Sequence, residues 1–258
     1  KQYSVRHGTV YAESLLPLHK WLRALWESAS TKNGVSALEI SRKLQISYKS
    51  ALFLMHRIRH AMTDFPGSGP KLTGTVEADE TYVGGKPRHP HRYPDGRIKM
   101  GPHPDKPKVP VFAVVQRGGA VRARVMPNVT ADNITHALLE NVERSARLMT
   151  DEHNVYKNVG RPFASHHRVK HSEKEYVNRK NPEIHSNTIE GFFSRVKRKL
   201  NGTHHAVSKE HLHRYVSEAA FIYNTRQLND GERVLKVIKD GEGKRLMYRQ
   251  PKRSKKTA

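Results

Sequence analysis

The chain has 258 residues and carries 47 Lys and Arg against 24 Asp and Glu, a formal net charge of +23. Cysteine is absent, which excludes disulfides and thiolate metal sites. No apolar run approaches the roughly 18 residues that a membrane span needs, and no signal-peptide pattern is present.

Positive charge is spread along the whole sequence instead of being confined to one tail. The expected partner is a polyanion, because neutralising its phosphates releases condensed counterions. Composition therefore predicts a nucleic-acid-binding protein with no membrane partner, and a merely soluble basic protein is the alternative. We expect it to be intracellular and not secreted, in the cytoplasm or nucleoid of a bacterium or in the nucleus of a eukaryote.

Residues 14–63 follow the pattern of a helix-turn-helix DNA-binding domain. Leu18, Trp21 and Leu25 recur at helical spacing in the first helix, and Ser36 is the predicted N-cap of the second. That helix is short, and a turn of about three residues leads into a longer basic helix. A plain three-helix bundle with a solvated basic face is the alternative, but the net charge favours DNA binding.

The outer face of the third helix carries the residues predicted to contact DNA. Those at its start would meet the groove first, since a recognition helix presents its N-terminal residues to the base edges. The predicted set is Ser47, Tyr48, Lys49, Ser50, Phe53, His56 and Arg57.

A stretch rich in Pro and Gly at 64–72 predicts a linker, and beyond it the pattern changes to strands. Alternating residues predict a first strand, and two apolar runs that turn at Gly118 and Gly119 predict a hairpin. A helix capped by Thr130, a fourth strand and two further helices follow. This order predicts an α/β fold over residues 73–228, with a mixed sheet flanked by helices.

Two segments are too polar to belong to a packed core. Residues 86–108 are rich in Pro, His and basic residues, and they predict a loop after the first strand that contacts phosphate. A metal site at His89, His91 and His103 is disfavoured, because their spacing matches no common site and no cysteine supports them. Residues 229–258 are predicted to form a basic C-terminal extension.

Three carboxylates stand where an α/β nuclease holds metal ions. Asp79 lies on the first predicted strand, Asp151 follows the fourth, and Glu190 begins a later helix. Hard cations take oxygen ligands and keep several waters, so two or three carboxylates suffice. Each acid alone has an ordinary explanation, as a turn cap or as half of an exposed ion pair. Their joint placement predicts a site for Mg²⁺ or Mn²⁺.

The helix that carries Glu190 also carries basic residues. Glu190, Ser194 and Lys197 stand at i, i+4 and i+7 and therefore share one face. Arg195, Lys197 and Arg198 are predicted to hold DNA phosphates near the acids. The apolar stripe predicted to dock this helix on the sheet consists of Ile189, Phe192, Phe193, Val196 and Leu200.

Several stretches resemble the insertion-sequence DDE transposases related to the Merlin elements. They are KQYSVRHGTV, VEADETYVGGK, TDEHNVYKNVG and the long run that begins HSNTIEGFFSRVKRKL. The resemblance implies a ribonuclease H-like catalytic core preceded by a helix-turn-helix. By motif, it makes Asp79, Asp151 and Glu190 the first, second and third metal-binding acids, and Lys197 the basic residue that follows the third.

Two departures from that pattern leave alternatives open. Some relatives use Asn as the third residue, so Asn187, one helical turn before Glu190, competes with it; the charge of Glu190 suits Mg²⁺ better. Relatives often begin with a Cys-type zinc ribbon, and KQYSVRHGTV resembles only the end of one. Residues 1–13 are therefore predicted to be the remnant of an upstream module, with a copy that never had the ribbon as the alternative. Glu77 and Glu80 either support the site or are simply solvated.

The sequence as a whole predicts a DNA transposase. It would bind terminal inverted repeats, cleave the strand at the element end, and join the exposed 3′ hydroxyl to target DNA, using two metal ions bridged by Asp79. At least a homodimer is expected, because two element ends must be joined. The rivals are a catalytically silent or domesticated helix-turn-helix DNA-binding protein, and a ribonuclease H-like nuclease that cuts without joining.

Overall fold

The computed structural model describes residues 4–64, 69–84, 92–97, 108–169 and 181–247. The chain forms two compact units, one of Lys1–Thr63 with Leu228–Ala258 and the other of Asp64–Gln227. The first unit is therefore discontinuous in sequence. Most of the predicted phosphate-contacting loop, including His89, His91 and His103, lies outside the described residues, as does the end of the basic extension.

Most helices and strands lie where the sequence pattern predicts them. The helices are α1 Leu18–Ala29, α2 Ala37–Leu44, α3 Tyr48–Ala61, α4 Ala131–Asn141, α5 Asn187–Lys199, α6 Leu212–Asn224 and α7 Asp230–Asp240. The strands are β1 Thr75–Val83, β2 Val109–Gln116, β3 Val121–Val125, β4 Arg147–Asp151 and β5 Ser165–Val169. In the part of the chain that the structure describes, no helix is long and apolar enough to cross a membrane.

In the first unit, α2 and α3 are joined by a tight turn at residues 45–47. The Ser36 hydroxyl accepts a hydrogen bond from the Glu39 N–H at 3.1 Å, which confirms the predicted N-cap. Ser47 caps α3 in the same way through the N–H of Ser50, at 3.2 Å. A short helix, a tight turn and a longer helix therefore follow one another as predicted.

The N-terminal segment contributes to the core of the first unit. Val10 is fully buried, and its N–H donates to the Gly241 carbonyl at 2.8 Å. The Tyr11 ring meets Trp21 edge to face, with centroids 5.0 Å apart. Such aromatic pairs add to the energy of burial, so this segment helps to stabilise the helices that follow it.

The C-terminal region, predicted to be a basic extension from residue 229 onward, contains the helix α7. Asn229 and Glu232 form a capping box at the start of this helix. The Arg233 guanidinium donates to the Ala29 carbonyl at the end of α1, at 2.9 Å, and Val237 is fully buried. The helix α7 is thus an integral part of the first unit, where the sequence predicted only a basic extension.

The sequence predicted that His56 and Arg57 lie on the outer face of α3, and this placement is wrong. Each is only 5% exposed. The Arg57 side chain donates to the Ala12 carbonyl, and its guanidinium lies over the rings of Trp21 and Phe53, at 5.3 Å and 5.6 Å. Stacking on aromatic faces and a carbonyl partner account for its burial, so it ties α3 to the N-terminal segment.

The second unit is built on a five-stranded mixed sheet in the order β3-β2-β1-β4-β5. The three strands β3, β2 and β1 are antiparallel, whereas β1, β4 and β5 run parallel to one another. The turn at Gly118 and Gly119 makes the predicted hairpin, and β5 is a strand that the sequence did not predict. This topology confirms a ribonuclease H-like fold, a mixed sheet flanked by helices.

Helices cover both faces of this sheet. On one face, Val76 and Ala78 of β1 join a core that includes Ile134 and Leu138 of α4. On the other face, β2 packs against α5 and α6. The predicted docking stripe of α5 is confirmed, because all of its members are buried: Ile189, Phe192, Phe193, Val196 and Leu200.

Candidate active site

The first two acids lie on neighbouring parallel strands. β1 and β4 pair through Glu77 and Met149, and continuing that register by two residues brings Asp79 beside Asp151. Residues that face each other across paired strands point to the same side of the sheet. The Asp151 carboxylate also accepts the His153 N–H at 3.0 Å, which ties it to the turn after β4.

The third acid approaches from α5. Asp79 pairs across β1 and β2 with Ala113, and Ala113 belongs to the core that Ile189 of α5 also enters. Asp79 therefore points to the α5 side of the sheet. Glu190 stands in the first turn of α5, where its carboxylate accepts the Ser186 hydroxyl at 3.0 Å.

The pKa of Asp79 reflects its burial and the charges of the neighbouring acids. Burial and, after it, the negative charges of Asp151, Glu80 and Glu190 together raise the pKa of Asp79 to about 8. The Glu80 N–H donates to the Asp79 carboxylate at 2.7 Å and opposes this effect. Asp79 thus lies at the centre of a half-buried group of acids in a chain of net charge +23. A proton or a cation can neutralise the negative charge of that group.

A hydrated divalent cation fits this donor set. Among the described residues, no three His, Asp or Glu side chains are placed to hold one ion together. Mg²⁺ does not require such a cage, since it keeps several waters and takes one or two carboxylates together with substrate phosphates. Asp79 with Asp151, and Asp79 with Glu190, are pairs of the required chemistry.

Glu80 is buried on the opposite face of β1. Its side chain is 8% exposed, and its carboxylate accepts the hydroxyl of Tyr156, which is fully buried. Burial raises the pKa of Glu80 despite that hydrogen bond. The sequence did not predict Tyr156 as a residue of the site, although it stands five residues after Asp151 in the stretch TDEHNVYKNVG.

Glu77 is fully buried and held by four groups. Its carboxylate lies 2.6 Å from Arg117 Nε and 3.4 Å from His185 Nδ1. It also accepts the Thr188 hydroxyl at 3.0 Å and the Ile189 N–H at 2.9 Å. The alternative that Glu77 and Glu80 are simply solvated is therefore wrong. Nothing in the sequence pattern identified Arg117 or Thr188 as partners.

The sequence profile of the ISXO2-like transposase domain matches residues 71–224, more than half of the chain. The chain belongs to this family. It is therefore a DDE transposase domain, a class that transfers phosphoryl groups with divalent metal ions, and the match spans the strands and helices that carry the three acids. A search of curated protein sequences finds no match.

Solved structures of the Mos1 transposase share a weak likeness with the chain. The Mos1 strand transfer complex is 11% identical, with 93% of this chain and 81% of that chain covered and a TM-score of 0.31. The Mos1 mariner paired end complex with Mn is 11% identical, with 94% and 82% covered and a TM-score of 0.27. Scores of this size carry no inference about individual residues.

The other residues predicted for this ISXO2-like domain lie on α5. Asn187 is its first helical residue and is exposed, whereas Glu190 is half-buried. Lys197 and Arg198 are exposed, and the exposed Arg195 lies over the Tyr223 ring at 6.0 Å. The helix thus presents an acid near the sheet and three cations toward solvent.

Proposed function

We propose that the protein is a DNA transposase that binds terminal inverted repeats, cleaves the strand at the element end and joins it to target DNA. The observation that carries this proposal is the half-buried group of acids around Asp79 within a strongly basic chain of the ISXO2-like family. The resemblance of its motifs to the Merlin-related transposases supports the same activity.

In this proposal, Asp79, Asp151 and Glu190 would hold the Mg²⁺ or Mn²⁺ ions, with Asp79 contributing to both sites and Asp151 and Glu190 to one each. Bound there, such ions supply activation of the attacking oxygen and stabilisation of the leaving oxygen in an in-line displacement. A cation bound there would take the place of the proton that the raised pKa of Asp79 favours, because the same negative charge attracts both. No covalent bond to the protein forms, so no Ser or Tyr nucleophile is needed.

Glu190 is the proposed third acid in preference to Asn187. The Glu190 charge acts on Asp79, and the Ser186 hydroxyl fixes its carboxylate. Asn187 is exposed and neutral. A Glu190→Gln variant that keeps full activity, together with an inactive Asn187→Ala variant, would reverse this assignment.

The proposed DNA contacts form two groups. At the start of α3, the side chains of Ser47, Tyr48, Lys49 and Ser50 are exposed, and Phe53 is half-buried behind them. This end of the helix would enter the major groove and read the terminal repeat. On α5, Arg195, Lys197 and Arg198 would hold the phosphates next to the acids.

The test is incubation with duplex DNA that carries the element ends, identified as inverted repeats in the flanking genomic DNA, in the presence of Mg²⁺ or Mn²⁺. Strand cleavage followed by a joined product is expected from the wild-type protein, and neither from Asp79→Asn. Cleavage without joining would show a nuclease instead. Binding without cleavage would show a DNA-binding protein that is catalytically silent.

Assembly is part of the proposal, because two element ends must be brought together. Sizing of the protein with the end DNA should give a complex that contains at least two protein chains. A complex with one chain and one end that still yields joined product would contradict it.

A further inference from the structure

The N-terminus of α5 has an unusual cap. Ser186 occupies the N-cap position, yet its side chain makes no cap hydrogen bond to the helix N–H groups. Its hydroxyl donates instead to Glu190, at 3.0 Å. An N-cap side chain normally satisfies one of the first free N–H groups of a helix, so another group has to satisfy them here.

Glu77 supplies that cap from a different element. Its carboxylate accepts the N–H of Ile189, the third residue of α5, at 2.9 Å, and the hydroxyl of Thr188 at 3.0 Å. A carboxylate at this position also interacts favourably with the positive end of the helix dipole. The contact is long-range, since 112 residues separate Glu77 from Ile189.

Arg117, the residue after β2, completes the connection. It pairs with Glu77 through Nε at 2.6 Å. Its two other guanidinium nitrogens donate to the carbonyls of Glu183, at 2.7 Å, and His185, at 2.9 Å. The chain that leads into α5 is therefore held to the sheet through the same buried carboxylate.

We propose that Glu77 is a positioning residue that fixes the third acid, Glu190, relative to the first acid, Asp79. Glu77 and Asp79 are two residues apart on one face of β1, and Ile189 and Glu190 are adjacent on α5. The hydrogen bond from Ile189 to Glu77 thus sets the distance between the two acids. Because Glu77 caps the helix, Ser186 is available to orient the Glu190 carboxylate. This inference rests on the proposed metal-dependent function.

The test measures Mn²⁺ binding, by electron paramagnetic resonance of the free ion, and amide exchange in the first turn of α5. Glu77→Gln keeps the shape of the side chain but removes its negative charge. That charge pairs with Arg117 and interacts with the positive end of the α5 dipole. We expect an affinity for Mn²⁺ about tenfold lower, as for other residues that orient metal ligands, and faster exchange of the Ile189 amide. Thr188→Val removes one hydrogen bond and should shift both quantities less, in the same direction.

The matched control is Glu218→Gln. Glu218 is also fully buried and also touches α5, through an ion pair with Lys199 at 2.8 Å, but at the opposite end of the helix. It should lower thermal stability without changing the affinity for Mn²⁺. Equal loss of affinity in Glu218→Gln and Glu77→Gln, or wild-type affinity and exchange in Glu77→Gln, would overturn the inference. Wild-type Mn²⁺ binding by Asp79→Asn would instead contradict the proposed metal site.

Discussion

At the scale of the residue, Asp79 has an environment that makes little sense for stability alone. Its carboxyl is half-buried, and three other acids act on it. Removing charge from water and placing like charges together both oppose folding. Such unfavourable arrangements are typical of functional sites, where a ligand compensates for them.

Asp79→Asn should abolish stabilisation of the fold by Mn²⁺. At a concentration about 100 times the dissociation constant, a ligand that binds only the folded state stabilises it by about 2.7 kcal/mol. Thermal melts with Mn²⁺ and with a chelator give this difference for the wild type. Glu143→Gln, which removes an exposed acid of the same unit, is the control and should keep the full difference. Full stabilisation of Asp79→Asn would contradict the assignment.

His166 on β5 provides a second residue-scale prediction. Burial lowers the pKa of His166 to about 4, and its Nε2 lies 2.9 Å from the Thr150 hydroxyl. The unfolded chain therefore takes up a proton at higher pH than the folded protein, and stability is lost as the pH falls below about 6.5. Urea unfolding of His166→Gln should show a smaller loss between about pH 7 and about pH 5. The exposed His136→Gln should behave as the wild type does.

At the scale of the element, Gly160 and Gly191 differ in the space around them. A side chain would clash at the first position and would have room at the second. A Cβ on Gly160 would lie 2.2 Å from the ring of His166, so the turn after β4 can approach β5 only with glycine there. Gly191, inside α5, has nothing within 4 Å of such a Cβ. Only the first glycine is therefore required by packing.

Gly160→Ala should destabilise the protein by about 1–3 kcal/mol, because overpacking forces neighbouring groups to move. Gly191→Ala should stabilise it by up to about 1 kcal/mol, because alanine has the higher helix propensity. Urea unfolding of both variants measures the two free energies. If both variants changed the free energy of unfolding by a similar amount and with the same sign, the close contact of Gly160 with His166 would not be the cause.

Helical spacing in the sequence predicted the buried face of one helix correctly and misplaced a residue of another. The stripe of α5 predicted its buried face correctly, because helical spacing alone places those residues together. The same reasoning failed for Arg57, which was assigned to the outer face of α3. Its partners Ala12 and Trp21 come from other segments of the first unit, and a helical pattern carries no information about them.

At the scale of the whole molecule, the net charge of +23 predicts binding of DNA that weakens steeply with salt. Replacing Arg195, Lys197 and Arg198 together by Gln should reduce the slope of the logarithm of affinity against the logarithm of salt concentration by about three. Fluorescence anisotropy over a salt series measures that slope. Lys236→Gln, whose partner is Asp240 in α7, is the control and should leave the slope unchanged. A reduction of about one there, the same per charge as in the triple variant, would show that position on the molecule does not matter.

The sequence by itself determined the strongly positive net charge, the order of most strands and helices and a candidate set of three acids, because charge, periodicity and motif are all properties of nearby residues. Only the tertiary structure decided the burial and the partners of Glu77, the association of α7 with the N-terminal helices and the burial of His56 and Arg57. Each of these depends on contacts between segments that are distant along the chain, such as Glu77 with Ile189 and Ala29 with Arg233. No local pattern records such pairs, since the folded backbone alone brings them within hydrogen-bonding distance.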